Sequence, residues 1–203
     1  MEEIAPRLWW WTASHPEWTP EDLEGGEGWE QIVSSYALAA DGAFVLFDPL
    51  VTDWKPVDRL VEDHGPPSVL LTILWHARSA QEILDRYEDA SVWAYEQAAE
   101  WVGERTAVTN TFTIGTALPG GVEPVHMRRI EEVAYWISAQ NSVVVGDTIL
   151  GHADGAAMCP PTWVRKSETF EPAKEAVRQL LERSPDRLLL THGGPTDPTT
   201  LEV

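Results

Sequence analysis

The chain has 203 residues, 43% hydrophobic and 23% charged, a profile that excludes disorder and collagen. Fourteen Lys and Arg against thirty-three Asp and Glu leave a formal charge of −19, which repels phosphate backbones and anionic lipid and argues against nucleic-acid and membrane partners. The single cysteine, Cys159, excludes an internal disulfide framework.

No apolar run reaches the length of a membrane span, and Met1-Glu2-Glu3 is acidic where a signal peptide is basic, so the cytoplasm is the expected location. Residues 1–203 are expected to form one domain. Glu24-Gly25-Gly26-Glu27-Gly28 reads as a loop. Ser34 to Ala40 and Ala43 to Pro49 flank an Asp41-Gly42 turn signal and predict a hairpin. Lys55 to His64, with Val57, Leu60 and Val61 in helical spacing, predicts a helix stopped by Gly65-Pro66-Pro67. Ser68 to Trp75 is a continuous apolar run, expected as a strand buried on both faces. Ser79 to Tyr87 predicts a helix, with Ser79 as N-cap and Glu82 completing a capping box.

Ser91 to Tyr95 predicts a strand, Ala98 to Val102 a helical turn, and Asn110 to Pro124 strand material broken by glycines. Glu132 to Ser138 and Asn141 to Gly146 read as paired strands. Pro172 to Arg183 predicts a helix, and Arg187 to Thr191 a last buried strand before His192-Gly193-Gly194. Alternating strands and helices with an early hairpin predict an α/β protein, a sandwich of two mixed β-sheets with helices outside.

No Gly-x-Ser-x-Gly elbow, phosphate-binding Gly-x-x-x-x-Gly-Lys loop or dinucleotide glycine fingerprint is present. Cys159 precedes Pro160-Pro161 with no assignable base beside it, so it is a poor candidate nucleophile.

Four segments, in order, resemble the metallo-β-lactamase fold family: Phe44-Val45-Leu46-Phe47-Asp48-Pro49, Leu70-Leu71-Thr72, Val143-Val144-Val145-Gly146-Asp147 and Leu188-Leu189-Leu190-Thr191-His192-Gly193. The resemblance implies a four-layer αββα sandwich and a hydrolase ancestry with two zinc ions. It also puts the family's His-x-His-x-Asp-His ligands at Ile73, Trp75, Ala77 and Arg78, and its mid-chain histidine near Arg128. None of these five residues is a zinc ligand, so of the usual set only Asp147 and His192 stand in place. One branch of the family is matched more closely, through His76-Ala77-Arg78-Ser79, Gly146-Asp147, Pro161-Thr162-Trp163 and His192-Gly193.

His76, Asp147 and His192 all follow predicted strands, where ligand sites of α/β sheets gather. Two imidazoles and a carboxylate suffice for a single zinc or iron ion. A structural reading competes with this: His76 in a loop, Asp147 capping amides, and His192 bonded in the glycine turn. Arg78 and Ser79 at a helix start, with Trp75 and Trp163 nearby, form a candidate pocket for a small anionic or polar ligand. Arg78 paired with Asp147 could neutralise the carboxylate in place of a metal. His15, His64, His126 and His152 read as surface or loop residues.

The leading expectation is therefore a degenerate metallo-β-lactamase-fold protein whose dinuclear site is lost, with no cofactor and a small-molecule ligand in the old cleft. One alternative is a mononuclear metallo-hydrolase of esters, thioesters or lactones, with Asp147 as base and one zinc or iron ion. Another is a non-catalytic scaffold that forms a homodimer through its tryptophans.

Overall fold

The computed structural model describes residues 1–23, 29–129, 131–164 and 170–203. The expected loop at 24–28 lies outside them. A seven-stranded sheet runs in chain order through β1 (Glu2–Ala5), β2 (Leu8–Ser14), β3 (Ile32–Ala40), β4 (Ala43–Phe47), β5 (Pro67–Leu70), β6 (Ser91–Tyr95) and β7 (Asn110–Phe112). The first four strands are antiparallel, and β4 to β7 are parallel, joined by α1 (Trp54–His64), α2 (Ala80–Arg86) and α3 (Ala99–Gly103). A second, five-stranded sheet is built from β8 (Glu123–His126), β9 (Val133–Ile137), β10 (Ser142–Val145), β13 (Arg187–Leu190) and β14 (Gly194–Thr196), with α4 (Glu171–Glu182) outside it. A two-stranded ribbon, β11 (Ile149–His152) and β12 (Gly155–Met158), completes the chain.

Period-two alternation sorts side chains between the layers. Val144 and Leu189 face inward and join Tyr36, Phe47 and Leu70 of the first sheet in the central core. Their neighbours Val143, Val145, Leu188 and Leu190 face outward and pack on Val177 and Leu180 of α4. Both sheets mix parallel and antiparallel pairs, and the layering is αββα.

The Asp41-Gly42 hairpin turn forms as expected, both residues taking positive φ (49° and 73°). Other elements differ from expectation. The apolar run from Ser68 stops being a strand at Leu70, because Thr72 N donates to Asp48 Oδ1 (2.8 Å) instead of to a neighbouring strand. Residues Leu74–Ala77 then turn as a short 3-10 helix. Ser79 does not cap α2, since its hydroxyl accepts the Val51 N–H at 3.0 Å. The β1–β2 hairpin and the β11–β12 ribbon were not anticipated. Among the described residues no helix is long and apolar enough to cross a membrane.

Two buried tyrosines fasten the sheets reciprocally. Tyr36 on β3 donates to Leu190 O on β13 (2.7 Å), and Tyr135 on β9 donates to Leu71 O just beyond β5 (2.6 Å). Each phenylalanine replacement leaves a buried carbonyl without its donor, a loss of about 1–3 kcal/mol. Urea denaturation of Tyr36→Phe and Tyr135→Phe should show destabilisation in that range for each. A midpoint unchanged in both variants would contradict the clamp.

Candidate metal centre and cleft

The register of the second sheet brings two of the candidate residues together. β10 and β13 are parallel neighbours with Val145 opposite Leu190, so Asp147 and His192 each leave the sheet two residues later, side by side. His76 approaches from the first sheet, on the 3-10 turn that follows β5. His76 Nε2 lies 3.1 Å from Asp147 Oδ1, and His192 Nε2 lies 3.3 Å from the same oxygen. One ligand atom from each of the three residues falls within 4.8 Å of the others. All three residues are buried or nearly so, with exposures of 4% for His76, 8% for Asp147 and 9% for His192.

The other face of His76 is held by Asp48, a fully buried residue whose backbone sits at φ 44°. Asp48 Oδ2 lies 2.9 Å from His76 Nδ1 and also accepts the Thr72 hydroxyl. With a carboxylate against each ring nitrogen, Asp48 accepts a hydrogen bond from Nδ1, and Nε2 directs either a proton to Asp147 or, when a metal is bound, its lone pair to the ion. Burial and the nearby Arg78 push the His76 pKa down, but the flanking carboxylates Asp48 and Asp147 outweigh them and raise it. Burial alone would raise the Asp147 carboxyl, yet the two imidazoles hold it well below the usual carboxylate range. His192 is lowered, chiefly by burial, with Asp147 opposing.

Behind Asp147 stands a second buried network that sequence reasoning missed. Arg129 Nη1 donates to Glu132 Oε2 at 2.6 Å, and Glu132 also accepts from the Thr148 N–H (3.0 Å) and hydroxyl (2.8 Å). Arg129 Nη2 reaches Trp163 O at 3.2 Å and ties the Pro161–Trp163 turn to the site. Two glycines permit this packing. A Cβ on Gly146 would stand 2.6 Å from Thr72 Oγ1, and a Cβ on Gly151 would stand 2.8 Å from Gly193 Cα. The glycines beside Asp147 and His192 therefore allow backbone and side chains to close on the site.

His76, Asp147, His192 and Arg129 line a cavity of about 540 Å³, shared with His15, Trp29, Trp75, Arg78, Arg105 and Trp163, and with Glu17 and Asp22. Trp75 is 52% exposed, and Arg105 stacks over it at 4.6 Å. Trp163 contributes to the wall, whereas Ile73 is buried in the fold and does not line the cavity. Arg78 makes no ion pair with Asp147; its Nη1 donates instead to Ser34 O and Asp48 O, each at 2.9 Å. Ser79, expected in the same pocket, does not line this cavity; it is buried and lines a neighbouring hollow, with its hydroxyl accepting the Val51 N–H.

His15, expected as a surface or loop residue, lies in an irregular segment but lines the cavity and sits edge-on to Trp29, which in turn contacts His192. Burial, reinforced by Arg78, lowers its pKa to about 4. No sequence signal marked it, since it precedes a proline in an irregular segment. Arg128, the position matched to the family's mid-chain histidine, is exposed at φ 55°. Cys159 is buried, and desolvation pushes its thiol up to about 12. A thiol that stays protonated is no nucleophile at neutral pH.

The donor set fits a metal ion. Asp147 Oδ1 is buried and meets the two imidazole Nε2 atoms at 3.1 and 3.3 Å, an arrangement in which one cation would take a donor from each residue. Two neutral imidazoles and one carboxylate are the donors that zinc and ferrous iron take, and three protein ligands leave open positions.

No family model matches the sequence, and no curated protein sequence matches it. Comparison with solved structures gives similarity to DIM-1 metallo-β-lactamase at 14% identity, TM-score 0.71, covering 98% of this chain and 91% of that one. A metallo-β-lactamase from Pontibacter korlensis is similar at 14% identity and TM-score 0.69, over 98% and 93% of the two chains. A metallo-β-lactamase superfamily protein from Sulfolobus tokodaii is similar at 15% identity and TM-score 0.61, over 83% and 77%. With the αββα layering and the sheet order, these likenesses establish that the chain has the metallo-β-lactamase fold.

Proposed function

We propose that this is a metallo-β-lactamase-fold protein in which the dinuclear zinc site has been reduced to one metal position, held by His76, Asp147 and His192 at the floor of a ligand-binding cleft. The observation that supports it is the convergence of one ligand atom each from His76, Asp147 and His192 within 4.8 Å. The family's first set of ligands is replaced by Ile73, Trp75 and Arg78, none of which binds a cation. A bound zinc or ferrous ion would supply Lewis-acid polarisation and a nucleophilic water near neutral pH. The reaction class that such chemistry serves is hydrolysis of an ester, thioester or lactone.

The chain's own residues have defined tasks in this reading. Asp48 fixes the tautomer of His76 through Nδ1, the arrangement that orients metal-binding histidines generally. Glu132 holds the Asp147 turn by accepting both Thr148 donors. Trp29, Trp75 and Trp163 exclude water from a ligand's apolar body.

Protein purified without a histidine tag should contain one transition-metal ion per chain by elemental analysis. His192→Ala and Asp147→Ala should bring that content to trace while near-ultraviolet circular dichroism stays native. Wild-type protein that is metal-free after exposure to zinc or ferrous iron would overturn the reading. Asp48→Asn keeps the shape but weakens the acceptor facing His76 Nδ1. Zinc affinity measured by competition with a chelator should fall about 10–100-fold. An affinity equal to wild type would show that Asp48 only supports the loop.

A further inference from the structure

We infer that the cleft takes a ligand bearing a single carboxylate, gripped side-on by the Nε–Nη2 edge of Arg78. This deepens, and rests on, the reading of the cleft as a ligand site. The Arg78 guanidinium is anchored at one corner only. Nη1 donates to Ser34 O and Asp48 O, which fixes the plane of the group against β3 and the end of β4. Nε and Nη2 are buried and have no hydrogen-bond partner. Those two donors are the parallel pair of an arginine, spaced to match the two oxygens of a carboxylate. A buried charged group left without partners is costly, so a fold retains one where something else satisfies it.

The surrounding charges point the same way. Asp48 is engaged by Thr72 and His76, and Asp147 by His76 and His192, so neither carboxylate is in ion-pair contact with Arg78. The other buried arginine of the cavity, Arg129, is already compensated by Glu132. Arg78 also holds its backbone at φ 38°, a conformation that costs a non-glycine residue on the order of 1–3 kcal/mol.

The choice of a carboxylate over a phosphate follows from three features. The available fork is planar and presents two donors. Glu17 and Asp22 line the same cavity and disfavour a multiply charged anion. The chain's overall charge of −19 does the same at a distance. Trp29, Trp75 and Trp163 offer aromatic surface to the rest of the ligand, so the fitting chemistry is a small monocarboxylate with a planar or apolar body.

Benzoate is the probe, titrated by tryptophan fluorescence and calorimetry against chloride and inorganic phosphate at constant ionic strength. Benzoate should bind saturably, and phosphate and chloride should not compete at equal concentration. Arg78→Lys keeps a cation and a donor for the Ser34 and Asp48 carbonyls but loses the fork; it should weaken benzoate at least about 10-fold. Chelator-treated wild-type protein separates the two readings, because benzoate binding that depends on Arg78 should persist when the metal does not. Equal binding of phosphate, an unchanged affinity in Arg78→Lys, or benzoate binding abolished by metal removal alone would each overturn the proposal. A measurement on the native protein guards against a variant that fails to fold. The Arg78 side-chain Nε–H resonance should shift on adding benzoate and stay fixed with chloride; a fixed resonance in both would overturn the proposal as well.

Discussion

A carboxylate with no solvent exposure, Asp48, is the constraint on which the front of the cleft depends. An ionised group removed from water costs several kcal/mol unless hydrogen bonds replace its hydration. Asp48 obtains them from the Thr72 N–H, the Thr72 hydroxyl and His76 Nδ1. Satisfying it forces the chain out of the sheet after Leu70 and into the 3-10 turn that carries His76. The same Thr72 gives its carbonyl to Val133 N at the start of β9, and its hydroxyl packs where a side chain on Gly146 would stand. One buried charge thus joins the first sheet, the second sheet and the Asp147 turn.

From the far side, the buried Arg129–Glu132 pair closes the arrangement by holding Thr148 and the Trp163 turn. Asp147 is therefore fixed between two networks while its own Oδ1 is left to the imidazoles. The expectation that Arg78 would stand in for a metal by pairing with Asp147 does not hold, because backbone carbonyls claim its Nη1. Nor do apolar side chains fill the floor of the cleft. Ile73 turns into the core and Trp75 outward to the mouth, leaving a cavity of about 540 Å³.

Much of the scaffold was legible because its strands are long apolar runs with clear stops. Asn141 to Gly146, Arg187 to Thr191 and the Asp41-Gly42 hairpin needed only periodicity and turn chemistry, and the two parallel strands delivered Asp147 and His192 as their positions implied. What could not be read was decided by long-range polar contacts. The strand expected through Trp75 lost to Asp48, a partner 24 residues away from Thr72. The cap expected of Ser79 lost to Val51. Arg129 and Glu132 look like ordinary surface charges in the sequence, and only tertiary burial makes them structural. The β11–β12 ribbon is rich in glycine and alanine, so it carries no strand pattern and forms because Gly151 fits against Gly193.

The central claim is that this fold keeps one metal position and has given up the other. Anomalous diffraction at the zinc edge, from crystals equilibrated with zinc, tests it most directly. The account predicts a single peak between His76, Asp147 and His192. A pair of peaks in the cleft, or none at these three residues, would contradict it.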